Sequence, residues 1–401
     1  MCNEIKRNIN HNQDTHIMKD DMAFYTIKEI VQQPRLWQKV YELIVAQKEG
    51  LIRFLDKFQD ETGAEVIFTG AGSSFFVGEM VAGYFQKNTG ISSKAVSTTE
   101  LVTHPSLYIN PDRKTLLVSF ARSGDSPESV ASVRFADKIS HNLKHLIITC
   151  NANGELSKMT SPNPKYVLTL PEESNDKGLA MTSSVTSMAL SAILISRLND
   201  IEVLKEQIIL ASAYAENIIR NYSEIIEKVS LLDFKRAVFL GSGPAMGVAR
   251  EAHLKLQEMT DGKVICKFDS FLSLRHGPKV VLDETALLVY FFSNDDYVLR
   301  YEMDLVKSVS KDHKLMAVMG VSEKKLDCDG FDMEIVMNND TGRLDESFLN
   351  LCHLIPAQLL GYYKSLNLGL NPDQPSDGAI HRVVQGVIIY ELPLNDMAIS
   401  Q

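Results

Sequence analysis

A strand, a glycine loop and a helix are written twice in this chain at a fixed spacing. Val66-Ile67-Phe68-Thr69-Gly70-Ala71-Gly72 recurs as Val238-Phe239-Leu240-Gly241-Ser242-Gly243, which aligns Phe68 with Phe239 and Gly70 with Gly241 at an offset of 171 residues. The same offset carries Leu116-Leu117-Val118-Ser119-Phe120 onto Leu287-Leu288-Val289-Tyr290-Phe291. Apolar runs of this length bounded by glycine turns are typical of strands buried on both faces of a parallel sheet. Two matches at one offset therefore point to a duplicated α/β unit. After the second strand the copies part. The first continues Ala121-Arg122-Ser123-Gly124-Asp125-Ser126, the second Phe292-Ser293-Asn294-Asp295-Asp296. One half is equipped to hold an anion and the other is not.

The 401 residues allow two or three domains, each with enough chain to bury a core. No apolar run reaches the length of a membrane span. The first 21 residues are polar and rich in His, Asn and Asp, with no apolar stretch of a secretory signal, and are expected to be flexible. Cys2, Cys150, Cys266, Cys328 and Cys352 are scattered, with no Cys-x-x-Cys and no metal-ligand spacing, which fits a reduced, cytoplasmic compartment and no metal site. A net charge of −10 argues against nucleic acid as a partner, because displacing phosphate counterions needs a basic surface. An acidic chain that binds a phosphorylated small molecule must do so with local donors and helix N-termini.

Residues 22–62 carry apolar side chains at helical spacing. Strands are expected at Glu65–Thr69, Lys94–Ser97, Thr115–Phe120, Leu146–Cys150 and Tyr166–Leu170, with helices from Ser74 and over Pro127–Ile139. Thr182–Leu232 reads as a long helical stretch. In the second copy, strands are expected near Arg236–Leu240, Lys263–Lys267, Ala286–Phe292, Leu315–Met319 and Met333–Val336, with helices at Ala245–Met259, Asp296–Ser310 and Ser347–Leu366. A turn over 368–378 then leads to a tail helix. This alternation is that of parallel sheets covered on both faces. The expected domains are 22–215 and 216–401, after the flexible 1–21.

Gly70-Ala71-Gly72-Ser73-Ser74 follows a strand and opens a helix, so backbone N–H groups can approach a ligand where the helix dipole favours negative charge. Phe75 stands where a dinucleotide fingerprint wants its third glycine, and no Gly-Lys-Ser/Thr is present, which disfavours nicotinamide and nucleoside triphosphate sites. Ser119-x-x-Arg122-Ser123-Gly124-Asp125-Ser126-Pro127 lies at the carboxyl end of a buried strand, the place where ligands bind in open α/β sheets. Hydroxyls, a guanidinium and a relaxed backbone converge there, as in a nest for a phosphate dianion. On the helix 245–259, Lys255 and Glu258 are three residues apart and share a face. Leu274-Arg275-His276-Gly277-Pro278 puts a histidine in a turn. His253 reads equally as core or surface.

Together, Gly-x-Gly-Ser-Ser, Arg-Ser-Gly-x-Ser, Lys-Leu-x-Glu and His-Gly-Pro, in this order over roughly residues 40–390, resemble the sugar isomerase (SIS) domain proteins. The start Thr26-Ile27-Lys28-Glu29-Ile30 and the run Arg382-Val383-Val384-Gln385-Gly386-Val387 resemble one branch, the tagatose-6-phosphate ketose/aldose isomerase and galactosamine-6-phosphate deaminase group. The resemblance implies two tandem SIS domains, each a flavodoxin-like parallel five-stranded sheet flanked by helices. It implies phosphate binding by Ser73, Ser74, Arg122, Ser123 and Ser126, and sugar binding by Gly72, Ala180, Thr182 and His381. It makes Glu258 the enolisation base, Lys255 its neighbour one turn before, and His276 the ring-opening acid–base. No cofactor and no metal are implied, and a homodimer or larger homo-oligomer is. Two departures stand out. Ala121 replaces a serine that often opens the phosphate loop, and no lysine follows Asp373-Gln374-Pro375, where the related synthase carries one.

These residue types suit sugar 6-phosphate chemistry. Phosphate lies far from C1 and C2, so one set of groups anchors while another reacts. A histidine serves ring opening, and a carboxylate moves the C2 proton to C1 while a lysine stabilises developing oxyanion charge. With an amine at C2, hydrolysis of the resulting imine releases ammonia; with a hydroxyl, the product is a plain ketose. The expected activity is conversion of galactosamine 6-phosphate to tagatose 6-phosphate and ammonia. The alternatives are an aldose–ketose isomerase without deamination and a non-catalytic sugar-phosphate regulator.

Overall fold

A computed structural model describes residues 23–56, 58, 63–338, 342–378 and 380–393. The expectation of flexibility for 1–21 lies outside the described residues. The chain forms two compact units. One gathers 40–175, 187–201 and the residues after 377, and contains the first sheet. The other gathers the residues up to 39, 176–186 and 202–377, and contains the second.

The first sheet is built from β1 (Glu65–Thr69), β2 (Ser92–Ala95), β3 (Thr115–Ala121), β4 (Leu143–Thr149) and β5 (Lys165–Thr169), all parallel, in the order β2-β1-β3-β4-β5. The second uses β6 (Arg236–Gly241), β7 (Ile265–Asp269), β8 (Ala286–Phe291), β9 (Ala317–Ser322) and β10 (Met333–Val336), in the order β7-β6-β8-β9-β10. Both orders are 2-1-3-4-5, the flavodoxin-like arrangement that puts a switch point between the first and third strands. The helices are α1 (Tyr25–Val31), α2 (Gln33–Leu55), α3 (Ser73–Thr89), α4 (Thr98–Thr103), α5 (Pro105–Tyr108), α6 (Pro127–Ile139), α7 (Glu155–Lys158), α8 (Ser183–Ile195), α9 (Lys205–Ser230), α10 (Ala245–Met259), α11 (Phe271–Leu274), α12 (Asp296–Asp312) and α13 (Glu346–Asn367).

The sequence repeat is a geometric repeat. Phe68 pairs with Val118 between β1 and β3, and Phe239 with Val289 between β6 and β8. Phe68 stacks on Phe120 at 5.8 Å and 8°, and Phe239 on Phe291 at 6.3 Å and 10°. A Cβ on Gly70 would sit 2.5 Å from the Ser74 carbonyl carbon, and one on Gly241 would sit 2.1 Å from the Ala245 oxygen, so each turn admits only glycine. Gly72 and Gly243 follow with φ of +55° and +53°. The offset widens once. Ala95 pairs with Phe68 and Phe268 with Phe239, an offset of 173 residues. The same wider offset relates the N-caps Ser97 and Ser270, whose hydroxyls accept from the N–H three residues on.

In the second-sheet unit, α13 is buried at every position from Ser347 to Ser365 and packs against α9 and α10. Gly361 allows this closeness: a Cβ there would lie 2.7 Å from Met259 Sδ. Two expected elements differ. Residues 198–204 form a kinked 3-10 turn that splits the long helical stretch into α8 and α9. The tail 380–393 forms no helix; its apolar side chains follow no single buried face, and Val384, Ile388 and Tyr390 are exposed. No helix among the described residues is long and apolar enough to cross a membrane.

Candidate functional site

In the first-sheet unit, Gly72 is the N-cap of α3, so Ser73 and Ser74, both buried, occupy its first turn. β3 runs directly into Arg122 and Ser123, which are 6 % and 9 % exposed. The loop is braced from the segment after β4. Asn151 Nδ2 donates to the Ser123 carbonyl at 2.8 Å, and Leu156 N–H to that of Gly124 at 2.9 Å. A Cβ on Gly154 would come within 2.3 Å of the Ser123 oxygen. Asp125, the one carboxylate in the loop, is drawn off to accept the Glu155 N–H at 2.9 Å, at the start of α7. Ser126 is the N-cap of α6, with no side-chain capping bond, and Pro127 fills the first helical position. The structure thus gathers Gly72, Ser73, Ser74, Arg122, Ser123 and Ser126 within one unit, on the loops that leave the carboxyl ends of adjacent strands.

The tail meets this loop. Arg122 donates to the Arg382 carbonyl at 3.1 Å, and Arg382 donates to Asn175 Oδ1 at 2.6 Å. His381, next to Arg382, is exposed.

In the second-sheet unit, α10 carries a charged row on one face. Lys255, 1 % exposed, donates to Glu258 Oε2 at 2.6 Å and lies 3.4 Å from Glu251 Oε1. Glu251 is fully buried while Glu258 keeps 21 % of its side chain exposed, so only the outer carboxylate meets solvent. His253 donates to the Arg250 carbonyl and rests on Phe268 at 4.8 Å; burial, its largest influence, lowers its pKa. His276 is on an exposed turn, its N–H donating to Ser273 at 2.9 Å and Gly277 following with φ +120°. No hydrogen bond among the described residues joins it to Lys255 or Glu258.

The segment 176–184 belongs to the same unit and is held by Asp176, Glu29 and Asp373, for none of which the sequence assigned a role. Asp176, fully buried, accepts from the N–H groups of Thr182 at 2.8 Å and Ser184 at 2.9 Å, and from the Thr182 hydroxyl at 3.3 Å. Glu29 accepts from the Lys177 and Gly178 N–H groups. Burial, then the charge of Asp176, pushes the Glu29 carboxyl up to about 7 against the pull of those two bonds. Asp373 caps α1 through Tyr25 and Thr26, and its carbonyl takes the Leu179 N–H at 3.0 Å. Ala180 and Thr182 are thereby buried, with the Thr182 hydroxyl turned to Asp176. The available signal was Asp176 six residues before a Thr-Ser-Ser run that starts a helix, the composition of a cap.

No cluster of three or more His, Cys, Asp or Glu side chains suited to a metal ion occurs among the described residues. Residues 63–195 match the SIS domain family. The chain is 35 % identical to the D-galactosamine-6-phosphate deaminase AgaS of Shewanella sp. (strain ANA-3), over 92 % of each chain. It is 37 % identical to that of Escherichia coli, over 91 % of this chain and 95 % of the other. The structure of tagatose-6-phosphate ketose/aldose isomerase from Escherichia coli is similar with a TM-score of 0.84 and 33 % identity, over 94 % of this chain and 99 % of the other.

Proposed function

Because this chain belongs to the AgaS family of SIS-domain proteins, we propose that it converts galactosamine 6-phosphate to tagatose 6-phosphate and ammonia. The observation that carries the proposal is the Lys255–Glu258 pair, 2.6 Å apart and open to solvent only at Glu258. A carboxylate presented in this way takes the C2 proton of the open-chain amino sugar and returns it to C1. Lys255, fixed between two carboxylates, supplies positive charge where the enol-type intermediate gains electron density. The ketimine that results is hydrolysed by water to ketose and ammonia.

Ser73, Ser74, Arg122, Ser123 and Ser126 anchor the phosphate through hydroxyls, a guanidinium and the N-termini of α3 and α6. Gly72, Ala180, Thr182 and His381 border the sugar, the buried ones by shaping the backbone around it. His276, exposed on its turn, opens the ring, and the protein works as a homodimer or larger homo-oligomer.

Incubation with galactosamine 6-phosphate, with ammonia and ketose phosphate measured together, tests the proposal; equal amounts of both are expected. Ketose without ammonia from a neutral hexose phosphate would make it a plain isomerase, and tight binding without turnover a regulator. Mixing subunits carrying Glu258→Gln with subunits carrying His276→Ala shows where His276 acts. Regained activity assigns it to a neighbouring subunit's site, and none assigns it to its own.

A further inference from the structure

Three hydroxyls at the carboxyl edge of the first sheet are buried with no hydrogen-bond partner among the described residues: Thr69 Oγ1, Thr98 Oγ1 and Ser119 Oγ. Their residues are 0 %, 1 % and 2 % exposed. They are neighbours in the fold. Thr69 ends β1 and pairs with Ser119 of β3, while Thr98 opens α4 and donates its N–H to the Gly70 carbonyl, one residue past Thr69, at 2.8 Å. A buried hydroxyl without a partner costs stability, and one in a native fold calls for a physical reason.

The second sheet shows that the fold itself does not require them. At the corresponding positions it has Leu240 for Thr69, Tyr290 for Ser119 and, at the wider offset set by the N-caps, Phe271 for Thr98. All three belong to one apolar cluster, with Phe271 stacked on Tyr290 at 5.4 Å. Phe292, the counterpart of Ala121, packs on Phe271 at 5.5 Å. The same scaffold closes this place with aromatic rings in one copy and leaves small polar side chains in the other.

We propose that Thr69, Thr98 and Ser119 form the inner wall of the phosphate site and hydrogen-bond the oxygens of the phosphate end of the substrate, which rests on the phosphate-anchoring role given above to the serine loops. The placement fits. Thr69 directly precedes Gly70-Ala71-Gly72-Ser73, and Ser119 lies three residues before Arg122. Ala121, between them, offers no hydroxyl. A phosphate dianion has more acceptor sites than the loop hydroxyls alone can fill.

Titration calorimetry of the full-length protein with inorganic phosphate, and separately with galactosamine 6-phosphate, tests this with Ser119→Ala, Thr69→Val and Thr98→Val. A hydrogen bond to a charged group implies roughly tenfold weaker phosphate binding for each variant. KM is expected to rise by a similar factor, with kcat within about threefold and melting temperature unchanged or higher. Ser365→Ala, which removes a buried unpartnered hydroxyl on α13, is the control and leaves phosphate affinity unchanged. Variants that bind phosphate as the parent does but melt earlier overturn the inner wall and make the hydroxyls structural, while ammonia release by the parent keeps the deaminase proposal standing. A parent that binds neither phosphate nor the sugar phosphate overturns both.

Discussion

In the first sheet, β1 and β3 lead through Thr69 and Ser119 into loops that carry serines and an arginine; in the second, β6 and β8 lead through Leu240 and Tyr290 into loops capped by a buried glutamic side chain. Glu302 of α12, fully buried, accepts the Ser293 N–H at 2.9 Å and the Ser242 hydroxyl. Ser242 and Ser293 stand, at the offset of 171, where the first copy has Ala71 and Arg122. Counted from the helix starts, Pro127 of α6 and Asp296 of α12, the place of Glu302 is taken by Val133, so the first copy supplies no such carboxylate. The backbone frame of these loops is therefore kept in both copies, while their side chains differ. One copy presents small hydroxyls and an arginine there, and the other fills the place with aromatic rings and a buried glutamic side chain.

The largest effect expected is on chemistry in the second-sheet unit. Glu258→Gln should lower kcat by about 10²–10⁴, the usual contribution of a general base, and leave phosphate affinity within threefold. Equal loss of rate and binding would remove Glu258 from the base role. On the anion side, titration should give one phosphate per chain. Arg122→Ala should weaken binding roughly ten- to a hundredfold, and Ser293→Ala in the other copy should not. A stoichiometry of two, or equal loss from both variants, would erase the contrast between the copies.

The smallest effect concerns Glu302, whose carboxyl is raised to about 7 by burial and by the charge of Glu346, against the bonds from Ser242 and Ser293. Its folded pKa exceeds the unfolded value near 4.5, so the folded state binds more protons between these limits. Stability from this group is full below about pH 4.5 and falls as pH rises through about 7. Glu302→Gln should flatten that slope and raise stability at pH 8 by on the order of 2 kcal/mol, with little change at pH 5, as read from urea midpoints. A variant less stable at both pH values would mean that the charge is what the two serines hold in place.

Much of the frame could be read from the residues. Ala245–Met259 and Pro127–Ile139 fold as helices over the expected spans, because each begins after a turn and keeps one apolar stripe. Lys255 and Glu258 meet because three residues make most of a helical turn. Other features were hidden. The offset changes from 171 to 173 and back within one copy, so Thr98 could be matched to Phe271 only through the strand register and the N-caps Ser97 and Ser270. Threonine and serine are ordinary strand residues, and nothing in a sequence tells a partnered hydroxyl from an unpartnered one. Glu302 reads as a surface residue of an amphipathic helix until the turn it faces is known. Glu29 and Asp373 act on segments more than a hundred residues away, beyond any local pattern. The expectation of a tail helix is a misreading, since Val383, Val384, Val387, Ile388 and Ile389 are β-branched and Gly386 interrupts them, a composition that disfavours helix.

The contact at Gly154 bears on how such a site can be moved between proteins. Because a side chain at Gly154 would collide with the Ser123 carbonyl, the loop after β3 owes its shape to a second stretch, 151–156, beyond the next strand. Grafting residues 121–127 onto another flavodoxin-like sheet would carry the donors without the mould that aims them. The transferable unit is the pair of segments, and protein engineers borrowing this loop would need to copy both.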